Sequence, residues 1–253
     1  NTACSSGLVA MHQGSMALRH GACDAVLVGA VNLMLTEQVQ RGMLQAGMLS
    51  DSGACRAFSK DADGIVPGEA AVVLAVRRKG EAQSSGDRIY AELAGIGVNY
   101  DGKTNGITAP SGAAQSALLQ QIYDEYDLDI GQLGYIVAHG TGTKLGDSVE
   151  LTALESVLAE RGADVGQCAL TSVKGNLGHT LAASGLVSVV ALVEALRHKE
   201  IPGSLYCEQE NDYINWAKSP LYVNKQLKAW ESDGLRMGGV SSFGMSGTNA
   251  HVV

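Results

Sequence analysis

Cys4 sits beside three small residues, Ser5, Ser6 and Gly7, where a loop meets the first turn of a helix predicted over 5–20. That position places its sulfur near unpaired N–H groups and the positive end of a helix dipole, both of which favour thiolate over thiol. A thiolate held there is a nucleophile toward acyl carbonyls. Two histidines occupy strand ends. His139 follows the apolar run Tyr135 to Ala138 and precedes Gly140-Thr141-Gly142-Thr143, so a strand delivers its imidazole into a cleft while small residues leave the surrounding backbone open. His179 follows Lys174-Gly175-Asn176-Leu177-Gly178, again after a strand and just before a long helix with Ala182, Ala183 and Gly185 near its start. The run from Ser241 to His251, SSFGMSGTNAH, is dense in small residues and could lay backbone amides against a developing oxyanion. A thiol, two imidazoles and an amide-rich loop in one chain require a common cause. A cysteine protease would use one Cys–His pair and leave the second histidine segment unexplained.

The elements that must position these residues alternate between helical and strand-like patterns, the sign of an α/β fold with a sheet covered by helices. Strands are predicted at 25–31 and 69–76, both continuous apolar runs of the kind buried on both faces. A further strand pattern begins over 89–98, followed by a helix at 113–126, a strand at 135–138 and a helix at 147–161. Then come a strand around 169–172, a helix at 182–198, a short strand at 221–223, a glycine-rich turn-strand segment at 237–247 and a strand start at 250–253. A polar stretch ending at Gly86 suggests a division into 1–86 and 87–253. The chain opens directly on Asn1-Thr2-Ala3-Cys4 and stops inside an apolar element, which reads as a fragment of something longer.

Hydrophobic residues make up 45% and charged residues 17% of the 253, with 32 glycines, which argues for a packed core with many tight turns and against disorder. A net charge of −8 offers no footprint for nucleic acid or an anionic membrane. No apolar run is expected to reach the roughly 18 to 20 residues that span a bilayer, the longest being 185–196 with Ser188 and Glu194 inside it. The five cysteines, Cys4, Cys23, Cys55, Cys168 and Cys207, are odd in number and lack CxxC spacing, so no disulfide framework or zinc site is indicated and a reducing cytoplasm fits. Asp61-Ala62-Asp63-Gly64 lacks the acidic spacing and closing Glu of a calcium loop, and no metal is assigned. His12, His20, His198 and His251 have no partnering motif.

In this order, TACSS at Cys4, HGTGT at His139, KGNLGH at His179 and the terminal FGMSGTNAH resemble the four motifs of the β-ketoacyl synthases of the thiolase superfamily. The resemblance continues through Cys55-Arg56-Ala57-Phe58, Asp63-Gly64, Gly68-Glu69, Asn105-Gly106 and Thr108-Ala109-Pro110, and so covers essentially the whole chain. The segments from Cys207 to Ile214 and from Ser219 to Asn224 look like bacterial modular type I polyketide synthases served by a separate acyltransferase. Such a resemblance implies a homodimeric, five-layer αβαβα fold of two similar halves, of which this chain lacks much of the first. It further implies that Cys4 takes an acyl chain from a carrier protein's phosphopantetheine and that His139 and His179 stabilise the enolate left when a malonyl-type extender loses CO₂. Backbone N–H groups of Cys4 and Phe243 would hold the oxyanion, Phe243 would gate the acyl pocket, and Thr141 and Thr143 would bind the pantetheine arm. Lys174 and Glu150 would orient the site as a buried charge pair. No cofactor of the domain's own is implied; its partners would be acyl carrier protein, a second copy and other synthase domains.

Ala138 stands where the family often has Glu, Gly175 where Ser is common, and Asn1 where Asp is common. A non-elongating synthase that only hands an acyl chain on is the alternative; such domains often lose the histidine that this chain keeps as His139. A chain-length partner subunit would lack Cys4, and a degradative thiolase would carry an acid-base cysteine motif that Phe243 to His251 does not contain.

Overall fold

The computed structural model describes residues 1–106 and 108–253. Helix α1 (Ser6–Arg19) leads into strand β1 (Ala25–Asn32), helix α2 (Gln38–Gln45), strand β2 (Ala70–Arg77) and helix α3 (Lys79–Ser84). Strand β3 (Ile96–Tyr100), helix α4 (Gly112–Glu125), strand β4 (Leu133–Val137), helix α5 (Lys144–Glu160), strand β5 (Cys168–Thr171), the single turn α6 (Lys174–Leu177) and helix α7 (Ser184–His198) follow. Strands β6 (Glu200–Ile201), β7 (Leu221–Val223), β8 (Lys228–Ala229), β9 (Met237–Phe243) and β10 (Thr248–Val252) close the chain.

Six strands form one mixed sheet in the order β3-β10-β9-β4-β5-β7. Its centre is parallel, β4 lying alongside both β9 and β5, while β10 runs antiparallel to β9 and β3. Leu118, Ile122, Leu151, Leu154 and Leu158 of α4 and α5 pack on Leu133 and Ile136 from one face. Leu8, Met11, Leu186, Val189 and Leu192 of α1 and α7 pack on Tyr135, Val137 and Val240 from the other. Because strand side chains alternate, β4 serves both cores at once. On the far side of α1 and α7 lies a two-stranded antiparallel ribbon, β1 with β2, whose Val26, Val28, Val72 and Leu74 turn inward. The order of layers is helices, sheet, helices, sheet, which is four consecutive layers of an αβαβα stack.

The ribbon departs from the expectation of strands covered on both faces. Leu27, Val31 and Val73 on its outer face are 75%, 56% and 67% exposed. Apolar residues on both faces do specify a middle layer, but among the described residues only one face is covered, by α1, α7 and the turn Leu181–Ala183 before α7. A second departure concerns hydropathy. Leu181–His198 is apolar enough over 18 residues to cross a membrane by length and composition, yet half of it is buried inside the fold, with Leu186, Val189 and Leu192 in the core between the two sheets. It is the central helix of a layered protein.

Helices α1 and α7 touch near their N-termini because both carry glycine there. A Cβ on Gly7 would meet Leu186 Cγ at 2.9 Å, and one on Gly185 would meet Leu8 Cγ at 2.7 Å. Cys4 and His179 each lie just before one of these helices, so the close crossing brings the two residues together.

Candidate active site

Cys4 lies in a 3-10 turn, Ala3–Ser5, that runs straight into α1. Ala3 has a φ of 54°, a left-handed conformation that non-glycine residues adopt at a cost of about 1–3 kcal/mol and that clusters at functional sites. The thiol is buried, 6% exposed. Burial pushes its pKa up, while the nearby Lys174 charge and the amides of Met245 and Cys4 itself pull it down. The helix-terminal setting expected to favour thiolate is therefore present but outweighed by desolvation.

His179 Nε2 is 3.2 Å from Cys4 Sγ. The backbone N–H of Leu181 donates to His179 Nδ1 at 3.2 Å. An Nδ1 that accepts a hydrogen bond carries no proton, so in the neutral ring the proton is on Nε2 and points at the sulfur. Leu181 supplies that amide from a φ of 43°, a second left-handed residue at the site. Burial and the Lys174 charge both hold the His179 pKa well below the usual imidazole range. His139 is held low in the same way, by burial first and then by Lys174 and His179. Both rings are neutral at physiological pH. They meet edge to face with centroids 5.5 Å apart, and the Phe243 ring lies 5.6 Å from His139. The donor atoms of Cys4, His139 and His179 lie within 4.8 Å of one another. The three atoms include the donor types of a zinc site, but the proton that Leu181 fixes on His179 Nε2 occupies the lone pair a metal would need.

Lys174 and Glu150 act on one peptide segment from two sides. The Lys174 ammonium donates to the His139 carbonyl. Glu150 accepts the N–H of His139 at 2.7 Å and of Gly140 at 2.8 Å. Both side chains are almost wholly buried, at 2% and 1% exposure. The expected charge pair thus becomes two hydrogen-bonded groups joined through the His139 backbone, with no direct ion pair between them among the described residues. Burial lowers the Lys174 pKa against the pull of Glu150, and pushes Glu150 up to about 7 despite its two amide donors.

Thr141 and Thr143, both half-buried, hydrogen-bond each other at 2.9 Å through their hydroxyls. Phe243 ends β9, buried, and Gly244 follows it into the loop that passes Cys4. A Cβ on Gly244 would lie 2.3 Å from the Thr2 carbonyl and 3.0 Å from Ser5 Oγ, so only glycine lets this loop reach the turn that carries Cys4. Asp147 was not singled out by its sequence setting. Fully buried in the first turn of α5, it accepts the N–H of Phe58 at 2.7 Å and of Gly142 at 3.1 Å, tying the HGTGT loop to the segment after Cys55. In the sequence it stands only as the first residue of the helix expected over 147–161, which the structure begins at Lys144.

Comparison with known proteins agrees with this geometry. Residues 1–82 match the N-terminal domain of β-ketoacyl synthases and residues 90–208 the C-terminal domain. The chain is 53% identical over 253 residues to the polyketide synthase ThaG of Burkholderia thailandensis and 46% identical over 255 residues to PksL of Bacillus subtilis, spanning 4% and 6% of their lengths. Its fold superposes on the ketosynthase from module 6 of the bacillaene synthase of Bacillus subtilis with a TM-score of 0.98 at 45% identity, covering 99% of this chain and 46% of that one.

Proposed function

We propose, for a chain that belongs to the β-ketoacyl synthase family and has its thiolase-like fold, that it forms the catalytic part of a condensing domain in a bacterial modular polyketide synthase, of the kind served by a separate acyltransferase. The observation that carries this is the Cys4–His179 contact at 3.2 Å, with the tautomer of His179 set by Leu181 and with His139 beside it. In the first half-reaction the Cys4 sulfur attacks an acyl thioester on a carrier protein; the new C–S bond forms as the carrier thiolate leaves and takes up the proton given up by Cys4. In the second, a malonyl-type thioester loses its carboxylate as CO₂, and the electrons of that C–C bond pass into an enolate. His179 Nε2–H and the neutral ring of His139 stand ready to stabilise its oxygen. The enolate carbon attacks the Cys4 thioester, a C–C bond forms, and the C–S bond breaks to return the sulfur.

Within this scheme the amides of Cys4 and Phe243 receive the tetrahedral oxyanion, and Phe243, packed on His139, gates the acyl pocket. Lys174 and Glu150 are positioning residues that hold the His139 peptide. Thr141 and Thr143 bind the pantetheine arm. The family uses no cofactor of its own; the phosphopantetheine belongs to the carrier. Acyl carrier protein, a second copy of the domain and neighbouring synthase domains are the partners. The division at residue 86 into two halves has the support of separate family matches on either side of it. A cytoplasmic location suits five cysteines that are all unbridged.

The test is turnover of the complete domain with an acyl thioester and a malonyl-loaded carrier protein. Formation of a chain two carbons longer, with one CO₂ released per chain, is expected. Transfer of the acyl group without CO₂ release would assign the domain to the non-elongating class instead.

A further inference from the structure

The carbonyl oxygen of Cys4 is gripped by two hydroxyls from remote parts of the chain. Ser242 Oγ, on β9, donates to it at 2.7 Å, and Ser184 Oγ, at the start of α7, donates at 3.2 Å. Both serines are buried, at 1% and 3% exposure, and they lie 238 and 180 residues away in sequence. Apart from the His179 contact with Sγ, the other side-chain bonds of this turn among the described residues are local: Ser5 Oγ donates to the Thr2 carbonyl at 2.9 Å and Ser6 Oγ to the Ala3 carbonyl at 2.6 Å. Local bonds shape the turn. Among the described residues, Ser184 and Ser242 are the side chains that tie its carbonyl to the helix and strand beside the site.

Direction makes this consequential. A peptide is planar, so holding the Cys4 carbonyl fixes the plane between Cys4 and Ser5 and with it the rotation about the Cys4 Cα. The Cα–Cβ vector, and hence the aim of Sγ at His179 Nε2 3.2 Å away, follows from that rotation. Ala3, at a φ of 54°, is strained immediately upstream, and an unheld turn would relax toward ordinary backbone angles. Ser242 lies next to Phe243, and Ser184 opens the helix that follows His179, so the two clamps connect Cys4 to the two elements it must work with.

We infer that Ser242 and Ser184 are positioning residues for the nucleophile, a hydroxyl clamp on the Cys4 carbonyl that keeps Sγ aligned with His179. This rests on Cys4 being the nucleophile, as proposed above. The test uses Ser242→Ala, Ser184→Ala and the double variant of the complete domain, with two readouts: the rate of acyl loading on Cys4, and the pH profile of Cys4 alkylation by iodoacetamide. Each carbonyl clamp can partly cover for the other, so a several-fold loss of loading is expected in the single variants, larger for Ser242→Ala with its shorter bond. The double variant should lose on the order of 100-fold, the scale at which misplacement by about 1 Å slows a reaction. KM for the acyl donor should stay within about twofold, since both serines are buried against the Cys4 carbonyl, and the alkylation profile should shift as Sγ leaves the Nε2–H.

A purely structural role would lower the melting temperature and leave the alkylation profile and the loading rate per folded molecule as in wild type; that result would overturn the inference. Should Ser242→Ala fail to fold, Ser184→Ala and Ser242→Cys, which keeps a small side chain with a weak donor, give the same comparison. If wild type loads no acyl chain, the proposed function fails, whereas the alkylation profiles still decide whether the clamp positions Cys4.

Discussion

A buried thiol facing the N–H of a neutral imidazole has no base at hand, because His179 Nε2 already carries its proton. The site instead favours the sulfur as an acceptor: once ionised, it gains the His179 donor and the positive charge of Lys174. In the proposed scheme the same donor is free for an acyl or enolate oxygen once the sulfur is acylated, so one proton would serve both half-reactions. Glu150 underlies the second imidazole. Glu150→Ala leaves the N–H groups of His139 and Gly140 buried and unpaired, and at about 1–3 kcal/mol for each such group the domain should lose about 2–6 kcal/mol, measurable as a lower urea midpoint. Little change in the midpoint would mean that water reaches these amides. Buried imidazoles contribute to the response to acid, His139 and His179 within the site and His251 away from it. His251 is fully buried between Ser241 and Tyr123, and burial lowers its pKa to about 3. Its contribution to stability is complete above the ordinary value of 6.5, where both folded and unfolded chains are neutral, and is lost as pH falls toward 3 because only the unfolded chain takes the proton. Between those values wild type should lose about 1.4 kcal/mol per pH unit through this residue, and His251→Gln should flatten that part of the profile in denaturant titrations.

At the scale of elements, the arrangement depends on three close approaches: α1 against α7, the loop after β9 against the Cys4 turn, and α6 against the segment before β2, where Gly68 leaves no room for a Cβ beside the Leu177 carbonyl. Gly244→Ala tests the second. Its Cβ would sit 2.3 Å from the Thr2 carbonyl, so the turn must move; overpacking of this kind costs about 1–3 kcal/mol, and loading should fall on the order of 100-fold through displacement of Cys4. A loading rate within a few-fold of wild type would show that the loop does not constrain the turn. The sequence sets Cys4 before a helix and His139 and His179 after strands, each beside small residues, and the structure brings their donor atoms within 4.8 Å of one another. What Lys174 and Glu150 touch was not recoverable, since that depends on the direction of side chains arriving from α5 and α6 at one peptide. Asp147 was missed for the same reason: its partners, Phe58 and Gly142, are on a distant loop and a strand-end loop. The strands β1 and β2 were found with nearly their observed bounds, but apolar periodicity reports which faces want cover and not which layer supplies it.

For the whole molecule, the decisive feature is that residues from both sides of position 86 meet at one sulfur. Cys4 comes from the part that matches the N-terminal family domain, His139 from the part that matches the C-terminal one, and His179 from the same C-terminal part. Neither part holds all three residues, so the sulfur and the two imidazoles come together only when the layers pack. The α1–α7 crossing is the contact that does this, with Gly7 and Gly185 each close to a leucine of the other helix. The measurement that bears most directly on this division of labour is intact-protein mass spectrometry of the complete domain and its Cys4→Ala and His139→Ala variants, given an acyl thioester and then a malonyl-loaded carrier protein. Wild type should gain the acyl mass and discharge it as an extended chain, Cys4→Ala should never load, and His139→Ala should load but keep its acyl group. Loading that survives Cys4→Ala, or extension that survives His139→Ala at the wild-type rate, would contradict the assignment of the sulfur to capture and the imidazoles to condensation.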